Sequence, residues 1–145
     1  MAYTGAVPDT AGRRMDWQEQ AACRTGDPDL FFNPDTEHQA RTICVARCPV
    51  RLQCLAAVKA AEQGLHRDDR DGVVAGLTGN ERWRLDETGP RRFDDAPPLQ
   101  LTGAERCGTH LALLRHLWQG ERIDGVCWSG QVKRDHDQQT AAKTP

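Results

Sequence analysis

Cys44-Val45-Ala46-Arg47-Cys48-Pro49-Val50-Arg51-Leu52-Gln53-Cys54 places three thiols within eleven residues. A fourth, Cys23, lies upstream, so the pattern is C-x20-C-x3-C-x5-C. Thiolate is a soft ligand that selects zinc, Cu(I) or iron–sulfur clusters. Structural zinc sites usually use C-x2-C knuckles or short Cys pairs with paired His. Only one short pair exists here. Iron–sulfur clusters also take four thiolates, at spacings that differ by family. A cubane is larger than one ion, so its ligands can be more spread out. Spacing alone leaves zinc and a cluster open. Thiol–disulfide exchange favours C-x-x-C at a helix start near a βαβ pattern, and C-x3-C without strands fits it less well. Trp17, Phe31, Phe32, Leu52 and Leu55 are apolar neighbours that would keep solvent from a bound group.

The rest of the chain sets the limits. Its 145 residues make one domain, or a small domain plus an appendage. The apolar fraction is 38%, with three Phe and one Tyr, so the core is small. Chains of this kind often need a metal or disulfides to hold their fold, and six cysteines could supply either. The net charge of −2 exerts no global pull on nucleic acid. The opening MAYTGAVPDTAGRRM has no apolar signal core, and no run is long enough to span a membrane. The expectation is a cytoplasmic protein with reduced thiols and no membrane partner.

Helical period and cap residues predict an all-α fold: about four short helices in residues 15–87, then a helical extension. Residues 1–14 read as disordered. Helices are expected at about 17–23, 37–47, 49–63 and 79–87. The last opens on Thr78-Gly79-Asn80-Glu81, a capping box. Asp27-Pro28 to Phe31-Phe32 is a turn-rich loop, HRDDRD at 66–71 reads as solvated, and Gly72-Val73-Val74-Ala75-Gly76 reads as a tight turn. Residues 88–100, with three prolines, read as a linker. Residues 101–128 form a C-terminal helical segment with a helix at about 109–119. Leu101-Thr102-Gly103-Ala104-Glu105-Arg106 echoes Leu77 to Arg82. Residues 129–145 read as a polar, disordered tail.

The order Trp17, Cys23, Asp27-Pro28, Phe31-Phe32, Cys44, Cys48-Pro49-Val50-Arg51, Cys54-Leu55, a glycine turn, Leu77-Thr78 and Glu81-Arg82 resembles the WhiB-like proteins of actinobacteria and their phages. The resemblance covers residues 15–87. It implies a 4Fe–4S cluster on Cys23, Cys44, Cys48 and Cys54 that reacts with oxygen or nitric oxide. It also implies a non-enzymatic redox sensor in transcription, with no small-molecule substrate, acting with region 4 of the principal sigma factor, with DNA, or with both. Trp17, Phe31, Phe32 and the turn residues Gly72, Val73, Val74 and Gly76 are the expected shielding and partner surface. Two departures stand out. The middle cysteines are three residues apart instead of two. The family turn G-[VI]-W-G-G has lost its Trp to Val74, so a weakened or altered sigma contact is expected. A zinc-stabilised interaction module and an apo-form thiol–disulfide reductase are the alternatives.

Farther on, Cys107-Gly108-Thr109, Arg115-His116, Gly120-Glu121 and Cys127 are similar to a short segment of small actinobacterial and phage proteins. In that segment Asp124 often corresponds to a cysteine. Cys107, His110, His116 and Cys127 could make a second zinc site. The plainer reading is two free thiols and two surface imidazoles.

Overall fold

Helix initiation in this chain depends on caps, because few segments are long enough to be helical on propensity alone. The computed structural model describes residues 15–143, so the expected disorder of 1–14 lies outside the described residues. The first third is a string of single turns. Asp27 and Asn33 each accept a backbone N–H two residues on, from Asp29 and Asp35, and each precedes a proline that opens a 3-10 turn. Trp17 lies in a 3-10 turn, Met15–Gln20, and Cys23 in another, Ala22–Thr25. The single helix expected at 17–23 is therefore two turns.

Helix α1, Glu37–Thr42, runs into a π-type turn, Ile43–Arg47, which carries Cys44. A π turn takes in one residue more than an α turn. It absorbs the extra residue of Cys44-x3-Cys48. The chain leaves the helix at Cys48, which is extended as a residue before proline must be. Helix α2, Arg51–Ala61, carries Cys54. Helix α3, Gly79–Leu85, opens on a fully formed Thr78–Glu81 capping box. Helix α4, His110–Gln119, is capped by Thr109 and stops at Gly120, whose φ is +70°. Helix α5 spans Gly125–Lys143. Among the described residues no strand forms, only one antiparallel bridge, Val74 to Leu77. No described helix is long and apolar enough to cross a membrane.

Helix α5 corrects the expectation of a disordered tail from Ser129. A polar helix gains little from a buried face, so it must be anchored. Its first turn supplies the anchor: the Asp124 carboxylate accepts the Cys127 N–H at 2.7 Å, and Cys127 is fully buried. Arg134 adds a bond to the Gly108 carbonyl at 2.8 Å.

The main core joins both halves of the chain: Leu55, Ala75, Leu77 and Leu85 pack with Leu113, Leu114 and Leu117. A smaller cluster holds Phe31, Ala40, Cys44 and Val73. The 88–100 stretch has no helix but is fastened at several points. Trp83 donates to the Pro90 carbonyl at 2.9 Å, His66 meets Asp95 at 2.7 Å, and the Leu99 N–H reaches Arg84 at 2.7 Å. HRDDRD is solvated only in part: Arg67, Asp68, Asp69 and Asp71 are exposed, while His66 and Arg70 are buried.

Glu81 ties three parts of this fold. It accepts from Arg41 at 2.5 Å and from the Thr78 N–H at 2.9 Å, and it faces His110 at 3.5 Å. Burial works to raise its carboxyl, but the His110 hydrogen bond, Arg41 and Thr78 outweigh it and hold it down at about 2. A depressed carboxylate stabilises the fold fully above its unfolded value and loses that contribution as pH falls through its folded one. The window here runs from 4.5 down to about 2. Wild-type protein should lose on the order of 3 kcal/mol more than Glu81→Gln across that window. Urea midpoints measured at steps of pH check this, and parallel curves for the two proteins would refute it.

A candidate cysteine centre and a second thiol cluster

The turn after HRDDRD positions the cysteine centre. Val74 and Leu77 exchange both backbone hydrogen bonds, at 2.9 and 3.0 Å, around Ala75 and Gly76. Those two residues have φ of +54° and +86°, as a type I′ turn requires. Ala75 holds a left-handed conformation that costs a non-glycine residue about 1–2 kcal/mol. Its burial in the core offsets part of that. Gly76 has no such freedom to change: a Cβ there would lie 3.1 Å from Val45 Cγ2 and 3.4 Å from Leu117 Cδ2.

This turn directs its amides at two thiols. Burial pushes Cys44 up to about 12, a backbone hydrogen bond from Gly76 opposes the rise, and the charges of Cys54, Cys23 and Cys48 add to it. Burial also raises Cys54, against a backbone hydrogen bond from Ala75. The four thiols are thus near enough to act on one another. They are graded in exposure: Cys44 is buried, Cys48 and Cys54 are half-buried, and Cys23 is exposed. All six cysteines carry free thiols.

Arginines hold the turn from behind. Arg41 donates to the Gly76 carbonyl at 2.9 Å. Arg51 donates to the Ala75 and Leu117 carbonyls at 3.4 and 3.2 Å. Burial lowers the Arg51 pKa, while Cys44, Cys54 and Cys48 raise it. The Arg51 charge therefore acts on three of the four thiols. The sequence reading passed over Arg51, although its spacing from Cys54 puts both on one face of α2.

The expected shielding residues divide. Phe31 and Val73 are buried, and Val73 donates to the Phe31 carbonyl at 2.8 Å. Trp17 and Val74 are half-buried. Phe32 is 67% exposed and covers no core. Its ring lies against Gly72, where a Cβ would come within 2.8 Å of Phe32 Cε1.

In the C-terminal segment the expected set of Cys107, His110, His116 and Cys127 does not assemble. His110 faces Gln131 at 3.1 Å and Glu81. Its place is taken by Asp124, whose two oxygens each lie 3.2 Å from Cys107 Sγ. Cys107 and Cys127 sulfurs are 3.6 Å apart. His116 Nε2 lies 3.3 Å from Asp124. Hydrogen bonding to Asp124, then to Cys127, pushes the Cys107 thiol up to about 11. His110 fails because a residue one position into α4 points toward α3, away from the Cys107 loop. The sequence named Asp124 only as standing where a similar segment often has a cysteine.

Residues 17–85 match the family profile described as "Transcription factor WhiB". The chain is 34% identical over 119 residues to the transcriptional regulator WhiD of Streptomyces coelicolor, covering 76% of this chain and all of that protein. It is 38% identical over 79 residues to WhiB of the same organism, covering 53% of this chain and 83% of that one. With WhiB7 of Mycolicibacterium smegmatis it shares 36% over 93 residues, covering 59% and 86%. No solved structure matches. The profile and the full-length match to WhiD together show that the chain belongs to the WhiB family.

Proposed function

We propose that this chain is a transcriptional regulator that carries a 4Fe–4S cluster on Cys23, Cys44, Cys48 and Cys54 and responds to oxidant or nitric oxide through it. The observation that carries the reading is the set of four mutually interacting thiols around a turn whose Ala75 and Gly76 amides point at two of them. Hydrogen bonds to sulfur and low solvent exposure are the means by which a protein tunes such a cluster. Among the described residues, only Cys107, Asp124 and Cys127 bring three or more ligand atoms within 4.8 Å of one another. No three of the N-terminal thiols are that close.

The cluster would supply a redox-labile centre. The chain's own residues do the rest. Arg51 offsets negative charge on the thiolates, Arg41 holds the turn, and Phe31 excludes water. Exposed Cys23 is the ligand that oxidant or nitric oxide reaches first. Loss of a ligand there would free the turn Ala22–Thr25 from the Cys44 turn it packs against, because ligation and folding are coupled in small sites. The partner is the RNA polymerase sigma factor, DNA, or both. Exposed Phe32, beside the turn, is an aromatic anchor in place of the missing indole. Thiols raised by burial are poor nucleophiles, which weighs against a disulfide reductase.

The test is iron, sulfide and zinc analysis of protein purified without oxygen, with visible spectra before and after nitric oxide. About four irons and four sulfides per chain are expected, with a spectrum that nitric oxide changes. Cys44→Ala and Cys54→Ala should lose most of that iron. Wild-type iron in both variants would defeat the reading, and zinc that depends on Cys44 would favour a zinc-stabilised module.

A further inference from the structure

We infer that the C-terminal segment holds a structural zinc ion on Cys107, Asp124 and Cys127, with His116 as the fourth ligand. This site is separate from the cysteine centre and shares no residue with it. Cys107 comes from the loop before α4, His116 from the last turn of α4, Asp124 from the residue before α5, and Cys127 from its first turn. The donor set is two sulfurs, one nitrogen and one oxygen, the mixture that suits zinc.

The separations among Cys107, Asp124 and Cys127 suit three corners of a tetrahedron. With Zn–S near 2.3 Å and Zn–N or Zn–O near 2.0 Å, tetrahedral angles put the sulfurs about 3.8 Å apart. The same angles set sulfur and oxygen about 3.5 Å apart, and nitrogen and oxygen about 3.3 Å apart. The observed values are 3.6 Å between Cys107 and Cys127, 3.2 Å from Cys107 to Asp124, and 3.3 Å from Asp124 to His116. The ligand atoms of Cys107, Asp124 and Cys127 all lie within 4.8 Å of one another; His116 Nε2, 3.3 Å from Asp124, stands outside that group and has to move toward the sulfurs to complete the shell.

The surrounding contacts are those of a ligated site rather than a pair of idle thiols. His116 is buried, and its other ring nitrogen meets Glu121 at 2.7 Å. That pairing sets the ring so that Nε2 faces Asp124 at 3.3 Å. The Gly108 N–H points at Cys127 Sγ at 3.3 Å, and Gly108 holds a φ of +92° to do so. A disulfide would account for the two sulfurs. It would leave unexplained why both oxygens of Asp124 lie 3.2 Å from Cys107 Sγ. The ion would fasten the 101–109 loop, the end of α4 and the start of α5 at one point.

The test is zinc and iron content of the full chain, purified without oxygen and without added metal. About one zinc per chain is expected. It should fall several-fold in Cys107→Ser and His116→Gln while iron is kept. Cys107 is exposed, so its serine variant should fold, and the far-UV circular dichroism of both variants verifies this. Cys44→Ala and His110→Ala should keep their zinc. Only trace zinc in wild type, with Cys107 and Cys127 joined as a disulfide or open to alkylation, overturns this inference and leaves the cluster reading standing. Zinc lost in Cys44→Ala but kept in Cys107→Ser overturns both.

Discussion

Arg82→Met should lower stability by about 3–5 kcal/mol, the cost of leaving a buried charge without its partner. All five guanidinium protons are placed. Nε and Nη2 grip the two oxygens of Glu62 at 2.7 and 2.9 Å. Nη2 also reaches the Asp71 carbonyl at 2.9 Å, and Nη1 reaches Gly72 and Leu77 at 2.8 and 2.6 Å. The side chain is fully buried. Methionine fills the volume but takes the fork from Glu62, which keeps only Arg70 at 3.9 Å, and a donor from three carbonyls, of which Leu77 alone keeps another, the Val74 N–H. Two of those carbonyls bracket the turn that directs Ala75 and Gly76 at the cysteines, so bound iron should fall with stability. Small domains have only about 5–15 kcal/mol to lose. The melting temperature followed by circular dichroism should drop by roughly 10 °C or more. Arg82→Lys should also fall, because a point donor cannot fork onto Glu62 and the carbonyls together. A methionine variant that melts within about two degrees of wild type would refute the role.

Gly79→Ala sets two rules against each other. Gly79 is the first residue of α3, and alanine in a helix is better than glycine by about 1 kcal/mol. A Cβ at this position would sit 1.8 Å from the Arg70 carbonyl oxygen and 2.7 Å from its carbon. Arg70 cannot withdraw. Its guanidinium is bonded twice to the Leu65 carbonyl, at 3.1 and 2.8 Å, and to Asp86 at 2.9 Å. The clash therefore outweighs propensity, and we expect a net loss of about 3 kcal/mol, the upper end for overpacking. The urea midpoint should fall with little change in slope. A midpoint above wild type would mean that propensity decides here.

The sequence disclosed what is local. Thr78 and Glu81 stand three apart and form the capping box. The leucine pattern from Leu111 to Leu117 and the stop at Gly120 describe α4 to within a residue or two. The cysteines could be picked out by residue type alone. The buried arginines could not. Arg41, Arg70 and Arg82 look like surface charges because their partners, Glu81, Asp86 and Glu62, lie elsewhere in the chain, and no period links them. The echo of Leu77–Arg82 in Leu101–Arg106 misleads for the same reason. Glu105 is drawn to Arg115 at 2.7 Å, and the second copy makes a turn with no helix behind it. Helix α5 was hidden because a polar helix with one anchored end leaves no apolar stripe to read.

The shared core has a consequence for the order of events during synthesis. Arg51 bonds the carbonyl of Leu117, 66 residues later, and Leu55 and Leu77 share one core with Leu113, Leu114 and Leu117. A chain made from its N-terminus presents all four cysteines to the cell before α4 has left the ribosome. During that interval the turn has Arg41 within reach but lacks its apolar backing. The nascent thiols are then more accessible than they are in the finished protein. Emergence of α4 acts as a latch that closes the core behind the turn.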